Sequence, residues 1–367
     1  MKPLLNLQDY EQLARERLSV MVYDYYAGGA GDEQTLRENE AAWSRLRIRP
    51  RVLVDVAERD LSTSVLGQNV AMPVLIAPCA FNILAHPDGE RAVARAAAAA
   101  GIVHVVSTAS TIRLEDVASA GGGQRWFQLY CYRDREVTRM LVERAQAAGY
   151  GALCVTVDMP IAGSRERDAR NRFALPQDVR WANLEDAGLH QMPALSEGSA
   201  LAKYFADLLD PCITWELIDW LRQITRLPIV VKGILTHEDA HLAVEHGVDG
   251  IVVSNHGGRQ LDGVAPTCEV LAEVVGAVGD KAEVLVDGGI RRGGDIFKAL
   301  ALGARAVLIG RPYLWGLAVD GEAGVRRVLE LLRAELSLTM GLAGRPTIAS
   351  IDRGAVNERG SVLQKQP

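Results

Sequence analysis

Short apolar segments alternate with longer amphipathic segments along most of the chain. Eight four-residue segments are rich in aliphatic or β-branched side chains, which is typical of buried parallel strands. They lie at 74–77, 103–106, 126–129, 153–156, 229–232, 251–254, 284–287 and 306–309. Alanine-rich segments with helical periodicity lie between them, for example at 89–100, 134–148, 238–246 and 294–302. This alternation predicts an α/β fold, a (β/α)8 TIM barrel.

Three parts of the chain fall outside the alternation. We expect residues 1–71 to form a helical N-terminal extension that packs on or caps the barrel at 72–345. Residues 171–212, between the fourth and fifth strands, have scattered prolines and mixed polarity, and we interpret them as an inserted loop. That loop is either a mobile lid over a ligand or a simple surface excursion. Residues 346–367 form a C-terminal tail, so we predict a single domain over 1–367.

Composition excludes several classes of protein. Hydrophobic residues make up 49% and aromatic residues 5% of the 367 residues, which favours one large α/β core over an all-β fold. A net charge of −6 without a dense basic stripe argues against a nucleic-acid partner. The five cysteines are widely spaced, so neither a disulfide framework nor a metal site is predicted. The N-terminus lacks the apolar core of a signal peptide, and we expect a cytosolic protein that does not bind membranes.

The segment 254–262, Ser-Asn-His-Gly-Gly-Arg-Gln-Leu-Asp, directly follows the sixth predicted strand. His256 and Arg259 would therefore emerge at the carboxyl end of the barrel, where barrel enzymes hold their catalytic residues. An isolated histidine is more often structural than catalytic. A fixed cation three residues away favours an active site.

Two glycine-rich loops follow the seventh and eighth predicted strands, where barrels commonly hold phosphate. Gly288, Gly289 and Arg291 lie in the first loop, and Gly310 and Arg311 lie in the second. Backbone amides and arginines in such loops suit phosphate, whereas ordinary glycine turns are the alternative. Lys232 ends the fifth strand and needs an anionic partner there. A flavin edge, an aldolase Schiff base and a structural ion pair all remain open for it.

The chain resembles the FMN-dependent L-2-hydroxy acid oxidase family, which includes glycolate oxidase and L-lactate oxidase. The resemblance is carried by residues 254–262 and by the motifs at 23–26, 86–90, 126–130 and 287–289. It spans almost the whole chain. It implies FMN as cofactor and oxidation of an L-2-hydroxy acid to the 2-oxo acid. It also implies O2 as electron acceptor, with release of H2O2, and a homotetramer.

The resemblance assigns three catalytic residues. His256 is the base, taking either the hydroxyl proton with hydride transfer to the flavin or the α-proton in a carbanion route. Asp158 would hydrogen-bond the imidazole and stabilise its protonated form. Tyr130 would contact the substrate hydroxyl.

The resemblance also assigns residues that bind substrate and cofactor. Arg165 is preferred to Arg167 because of its distance from Asp158. The substrate-binding residues are Tyr25, Ala109, Tyr130, Arg165 and Arg259. The FMN-binding residues are Pro78, Cys79, Ala80, Ser107, Gln128, Thr156, Lys232, Ser254, Asp287, Gly288, Gly289, Arg291, Gly310 and Arg311.

Two departures from the family bear on specificity. The family often has Pro-Thr-Ala-Met where this chain has Pro-Cys-Ala-Phe at 78–81. Ala109 occupies the position of a bulky tryptophan in glycolate oxidase, so we expect a wider pocket that favours L-lactate or a larger acid over glycolate. Mandelate dehydrogenases also resemble this stretch. Phe81 and the loop after Arg170 are candidates to refill the space.

Three rival functions remain. The first is an FMN-dependent L-lactate or L-mandelate dehydrogenase that passes electrons to a quinone or cytochrome. The oxidase is preferred because the sequence has no fused haem domain and no strongly apolar insertion for membrane docking. The second is a non-redox isomerase or aldolase that uses Lys232 and the phosphate loops. The third is a flavin-binding barrel without catalysis.

Overall fold

A computed structural model describes residues 3–190 and 199–358. Its α-helices are α1 Leu7–Arg17, α2 Val20–Ala27, α3 Gln34–Arg45, α4 Gly89–Ala100, α5 Leu114–Gly121, α6 Arg135–Ala147, α7 Glu166–Arg170, α8 Ala200–Leu208, α9 Glu216–Ile224, α10 His237–Glu245, α11 Thr267–Val278, α12 Gly293–Ala301 and α13 Arg311–Ala343. Its strands are β1 Leu46–Ile48, β2 Thr63–Val65, β3 Gln68–Val70, β4 Val74–Ile76, β5 His104–Ser107, β6 Arg125–Leu129, β7 Leu153–Thr156, β8 Ile229–Ile234, β9 Gly250–Val253, β10 Glu283–Val286, β11 Ala306–Ile309 and β12 Val356–Glu358.

Strands β4 to β11 form a closed barrel in which all neighbours are parallel and β11 pairs with β4. The eight predicted apolar segments coincide with these strands to within one or two residues at their ends. Four predicted helices correspond to α4, α6, α10 and α12. The predicted (β/α)8 barrel is therefore confirmed. Continuous apolar runs identified the strands because parallel strands are covered on both faces.

The amino end of the barrel is closed by the hairpin of β2 and β3. Val65, Leu66 and Val70 of this hairpin pack against the side chains inside the barrel. Those interior side chains are aliphatic for the most part, including Leu75, Val105, Val230, Val252 and Leu285. A filled interior leaves the carboxyl end as the place for a ligand.

The N-terminal extension contains the predicted helices, and α1 packs along α13. It also contains short strands that the sequence pattern did not predict. One of them, β1, pairs with β12 near the other end of the chain, and such a distant pairing leaves no local pattern. The side chains of Asn39 and Asn255 exchange two hydrogen bonds of 2.8 and 2.9 Å. This pair fixes α3 to the loop that carries His256.

The interpretation of residues 171–212 as a loop is wrong in part, because the segment contains α8 and a 3-10 turn at Ala182–Ala187. Ser199 caps α8 through its Oγ, whereas Glu197 and Gly198 lie outside the described residues. Leu201, Tyr204 and Phe205 are buried on one face of α8. Scattered glycines and prolines masked this amphipathic pattern.

None of the helices in the described part of the chain is both long enough and apolar enough to cross a membrane.

Candidate active site

A cavity opens at the carboxyl end of the barrel. Most of the site residues predicted from the sequence line it: Tyr25, Pro78, Cys79, Ala80, Ser107, Ala109, Gln128, Tyr130, Thr156, Arg165, Lys232, His256, Arg259, Asp287, Gly288, Gly289, Arg291, Gly310 and Arg311. Asp158 and Ser254 are the exceptions. They lie directly behind the wall, hydrogen-bonded to His256 and Lys232 respectively.

His256 and Asp158 form the only histidine–carboxylate pair whose imidazole lines this cavity, as far as the structure describes the chain. The Nδ1 atom of His256 lies 2.9 Å from Oδ1 of Asp158. Burial lowers the pKa of His256 below 6.5, and the nearby Lys232 also disfavours the cation. Burial opposes ionisation of Asp158, but His256 and Lys232 outweigh it and lower the pKa of that carboxyl. The pair is therefore a neutral imidazole oriented by a carboxylate, with Nε2 left to accept a proton.

The backbone around His256 is held in an unusual conformation. His256, Gly257 and Gly258 have φ values of 57°, 65° and 74°, which lie in the left-handed region. A non-glycine residue is rare there. The amide of His256 donates to Ser254 Oγ at 3.1 Å and steadies the turn. A Cβ on Gly258 would come within 2.6 Å of the amide nitrogen of Leu36, so only glycine fits.

Arg165 and Arg259 both face the cavity without a close carboxylate partner among the described residues. Arg259 Nη1 donates to the carbonyl oxygens of Tyr25 and Gly28, both at 2.8 Å, and its guanidinium lies over the Tyr25 ring. The nearest acid to Arg165 is Asp168, at 4.0 Å. Burial and the charge of Arg259 lower the pKa of Arg165 to about 10. This excess of positive charge favours a bound anion such as a carboxylate.

Arg167, the rival of Arg165 in the sequence, does not line the cavity. Its guanidinium donates to Glu33 at 2.6 Å and to Asp24 at 3.3 Å. The two arginines therefore point to different surroundings, and only Arg165 is able to meet a ligand in the cavity.

Buried tyrosines form part of the cavity wall. Burial raises the pKa of Tyr130 to about 12 and the pKa of Tyr25 further, so both hydroxyls stay protonated and can donate hydrogen bonds. Tyr26 also lines the cavity, but its hydroxyl already donates to the carbonyl of Phe81 at 2.7 Å. Tyr132 is buried away from the cavity.

Lys232 is buried at the end of β8, with only 4% of the residue exposed. Its Nζ donates to Ser254 Oγ at 2.8 Å and lies 3.1 Å from Asp287 Oδ2. Burial would lower the pKa of Lys232, but Asp287 and Asp158 outweigh it and raise the pKa above 10.5. The structural ion pair, one of the alternatives for Lys232, therefore exists with Asp287. The charged ammonium also faces the cavity.

Several polar groups in the cavity suit FMN. Asp287 Oδ1 and Arg291 Nε are buried and have no hydrogen-bond partner in the described structure, which matches a ligand with hydroxyls and phosphate oxygens. Gln128 joins the neighbouring strands by accepting from Ser107 Oγ and donating to Thr156 Oγ1. These residues form a polar wall able to meet the edge of a flavin ring.

Arg311 lines the same cavity as Arg291 and faces no carboxylate among the described residues. Its three guanidinium nitrogens each donate one hydrogen bond, to the carbonyl oxygens of Tyr26, Gly257 and Gly28, at 2.9 to 3.0 Å. Burial, together with Arg259 and Arg291, lowers the pKa of Arg311 to about 9. A phosphate dianion would relieve this repulsion.

The glycine at 289 is also required by the packing of α3. A Cβ there would lie 1.9 Å from the carbonyl oxygen of Asn39, so α3 itself excludes a side chain. The case for phosphate at this loop is therefore stronger from Arg291 than from Gly289.

Sequence reasoning missed Phe205, which lines the cavity from α8 and packs edge-on against Tyr130, with ring centres 5.7 Å apart. The spacing of Leu201, Tyr204 and Phe205 was the available signal. Phe81, a candidate to refill the pocket beside Ala109, is fully buried against Tyr25 and does not line the cavity.

Comparison with known proteins identifies the family. A model of FMN-dependent dehydrogenases matches residues 14–358. The chain belongs to this family. It is 55% identical to L-lactate oxidase from a Nostoc species over 95% of this chain and 96% of that protein. It is 52% identical to glycolate oxidase 3 from Arabidopsis thaliana, covering 95% of each. A crystal structure of mandelate oxidase with (S)-4-hydroxymandelic acid superposes with a TM-score of 0.92, at 47% identity, over 96% of this chain and 98% of that chain.

Family membership confirms the predicted FMN dependence and the predicted oxidoreductase class. The family model matches part of the N-terminal extension and α8 as well as the barrel.

Proposed function

We propose that the protein oxidises an L-2-hydroxy acid to the 2-oxo acid and passes the electrons to O2, forming H2O2. The observation that carries this proposal is the His256–Asp158 pair at 2.9 Å, in a cavity that also contains Arg165 and Arg259. A base and a carboxylate-binding site are the two groups that a hydroxy acid requires of the protein. The relatives named L-lactate oxidase and glycolate oxidase support the same reaction class.

Substrate binding is assigned to the two arginines and a tyrosine. Arg165 and Arg259 bind the carboxylate, and their planar guanidinium groups suit paired hydrogen bonds to its two oxygens. Tyr25 donates from its protonated hydroxyl to the same carboxylate. Fixing the carboxylate orients the hydroxyl-bearing carbon relative to His256.

Proton removal is assigned to His256. Its Nε2 accepts a proton from the bound substrate, while Nδ1 keeps its own proton in the hydrogen bond to Asp158. The imidazole becomes positively charged as the proton arrives, and the ionised Asp158 stabilises that charge. Tyr130 contacts the substrate hydroxyl as a hydrogen-bond donor.

FMN, when bound, supplies the acceptor for the two electrons that leave the substrate. Arg291 and Arg311 are assigned to its phosphate, and Asp287 to its ribityl hydroxyls. Lys232 is assigned to the flavin edge, where its fixed positive charge stabilises added negative charge. The remaining assigned residues are Pro78, Cys79, Ala80, Ser107, Gln128, Thr156, Ser254, Gly288, Gly289 and Gly310.

A substrate larger than glycolate is favoured by Ala109, which is buried in the cavity wall. A methyl group at this position leaves room for a substrate side chain, and each buried methylene contributes about 0.8 kcal/mol. Phe205 supplies an apolar surface in the same cavity. L-lactate and larger acids such as L-mandelate are therefore the proposed substrates.

Aerobic turnover with peroxide detection tests this proposal. Purified FMN-loaded protein is supplied with glycolate, L-lactate, L-mandelate or D-lactate, and 2-oxo acid and H2O2 are measured. We expect equal amounts of the two products from L-lactate or L-mandelate, and slower turnover of glycolate. Reaction only with an artificial dye or a quinone would favour the dehydrogenase, and no reaction with any acid would refute the proposal. A homotetramer and a cytosolic location stay predictions, the first testable by light scattering.

A further inference from the structure

We infer that Arg167 is a positioning residue that sets the affinity of the site for carboxylates. It does so by tying the short helix that follows Arg165 to the N-terminal segment that carries Tyr25. The inference rests on the proposed function, because it concerns the anion site formed by Arg165, Arg259 and Tyr25. Arg167 itself does not line the cavity.

Arg167 contacts two carboxylates of the N-terminal segment. Its Nη2 donates to Glu33 Oε2 at 2.6 Å, and its Nη1 donates to Asp24 Oδ1 at 3.3 Å. The Glu33 and Asp24 side chains are only 17% and 23% exposed, so water screens these pairs less than it screens an ordinary surface pair. A Cβ on Gly28 would lie 3.3 Å from Arg167 Cδ, so the arginine stem packs directly on the chain between the two acids.

Glu33, which accepts a hydrogen bond from Arg167, is itself held in place. The other carboxylate oxygen of Glu33 accepts from the amide of Gly29 at 2.9 Å. The backbone of Glu33 has a φ of 59°, which is uncommon for a non-glycine residue. Because the carboxylate is already held, Arg167 meets a rigid partner and loses less conformational freedom on pairing.

The segment that Arg167 holds has little structure of its own. Helix α7 contains only five residues, Glu166–Arg170, which is too short to be stable in isolation. Two further bonds join its ends to the N-terminal segment. Gly31 N donates to Ser164 O at 3.0 Å, and Asn171 Nδ2 donates to Asp24 Oδ2 at 2.8 Å. Arg167 lies between these two bonds and is the only ionic link that the described residues provide between the segments.

The position of the Arg165 guanidinium depends on this backbone. Arg165 is the N-cap of α7, and its side chain makes one long bond of 3.5 Å to Arg259 O and one distant ion pair of 4.0 Å to Asp168. Its own contacts therefore restrain it weakly. Tyr25 directly follows Asp24 in α2, so the Arg167–Asp24 contact links the two carboxylate-binding groups across the site.

The test compares Arg167→Gln and Glu33→Gln with a matched control, Arg170→Gln. Arg170 also pairs with a glutamate, Glu166, but within α7 and in solvent. The Kd of pyruvate, a small 2-oxo acid, is measured for FMN-loaded protein through the change in flavin absorbance. We expect the Kd of pyruvate and the KM for L-lactate to rise about twofold to fivefold in both test variants, since such pairs are worth up to roughly a fivefold change.

The effect on kcat distinguishes positioning of the anion site from general damage. We expect kcat to change less than twofold, and Arg167→Lys to recover most of the affinity. A pyruvate Kd equal to that of the wild type in both test variants would overturn the inference, as would an equal loss in the Arg170→Gln control. If pyruvate binds but no hydroxy acid is oxidised, the proposed function fails while the inference is still decided by the Kd values.

Limited proteolysis gives a second readout that does not require turnover. Glu33→Gln leaves every arginine of the 165–172 segment in place for trypsin. We expect faster cleavage within this segment at an unchanged melting temperature. Cleavage at the wild-type rate would mean that Arg167 does not hold α7.

Discussion

Replacement of Asp158 by asparagine removes the negative charge that stabilises protonated His256. The two side chains are 12% and 17% exposed, and their hydrogen-bonded atoms lie 2.9 Å apart. Unit charges about 4 Å apart interact by roughly 4 kcal/mol at an effective dielectric constant of 20. The full interaction exists only after His256 has accepted the proton. Removing the charge of Asp158 therefore lowers the rate of the chemical step, by about a thousandfold.

Asparagine has a second effect in the same direction. Its amide can donate to Nδ1 and favour the tautomer that carries the proton on Nε2, where a proton acceptor is needed. Binding of the substrate carboxylate is assigned to other residues, so the Kd for substrate should change little.

The assay is anaerobic stopped-flow reduction of the flavin by L-lactate. Wild type, Asp158→Asn and the surface control Asp207→Asn are compared at saturating substrate. Asp207 pairs with Lys203 in solvent, so its loss should leave the rate unchanged. A decrease of less than tenfold in Asp158→Asn would refute the role assigned to this carboxylate, provided that its FMN content matches the wild type.

Three further results are expected. Burial lowers the pKa of His256 below 6.5, and the neutral imidazole is the active form. The rate of flavin reduction should therefore fall on acidification with a midpoint below pH 6.5; a midpoint above pH 7 would contradict this. Ala109→Trp should lower the ratio of kcat/KM for L-lactate to kcat/KM for glycolate at least about tenfold, because the indole fills the space for the substrate side chain and removes roughly 1–3 kcal/mol of its binding. An unchanged ratio would mean that the substrate side chain does not lie beside Ala109. Lys232→Met should destabilise the protein by about 3 kcal/mol, because Asp287 becomes a buried unpaired charge. Adding Asp287→Asn to this variant should recover most of the lost melting temperature; if it does not, loss of the ion pair is not the cause.

The barrel could be predicted from the sequence because its strands are continuous apolar runs and its helices have a clear period. The carboxyl-end location of His256 followed from its place directly after β9. The choice of Arg165 over Arg167 could not come from the local pattern, since both arginines lie in one polar stretch. It depended on family resemblance, and the cavity wall agrees with it.

The remaining features depend on contacts between distant parts of the chain. The Asn39–Asn255 pair joins residues separated by 216 positions, and β1 pairs with β12 near the opposite end of the chain. The contact of Phe205 with Tyr130 requires the position of α8 on the barrel. The reason for Gly289 is similarly tertiary, because the carbonyl of Asn39 occupies the space of a side chain. No local pattern encodes such contacts.

Anaerobic mixing of the FMN-loaded protein with L-lactate tests the role of His256 most directly. The flavin absorbance is followed in wild type and His256→Ala. We expect the wild type to lose its yellow colour and form pyruvate, one per flavin, and His256→Ala to bind FMN but stay yellow. A wild type that stays yellow with L-lactate, L-mandelate and glycolate, or a His256→Ala variant that bleaches as fast as the wild type, would contradict this expectation.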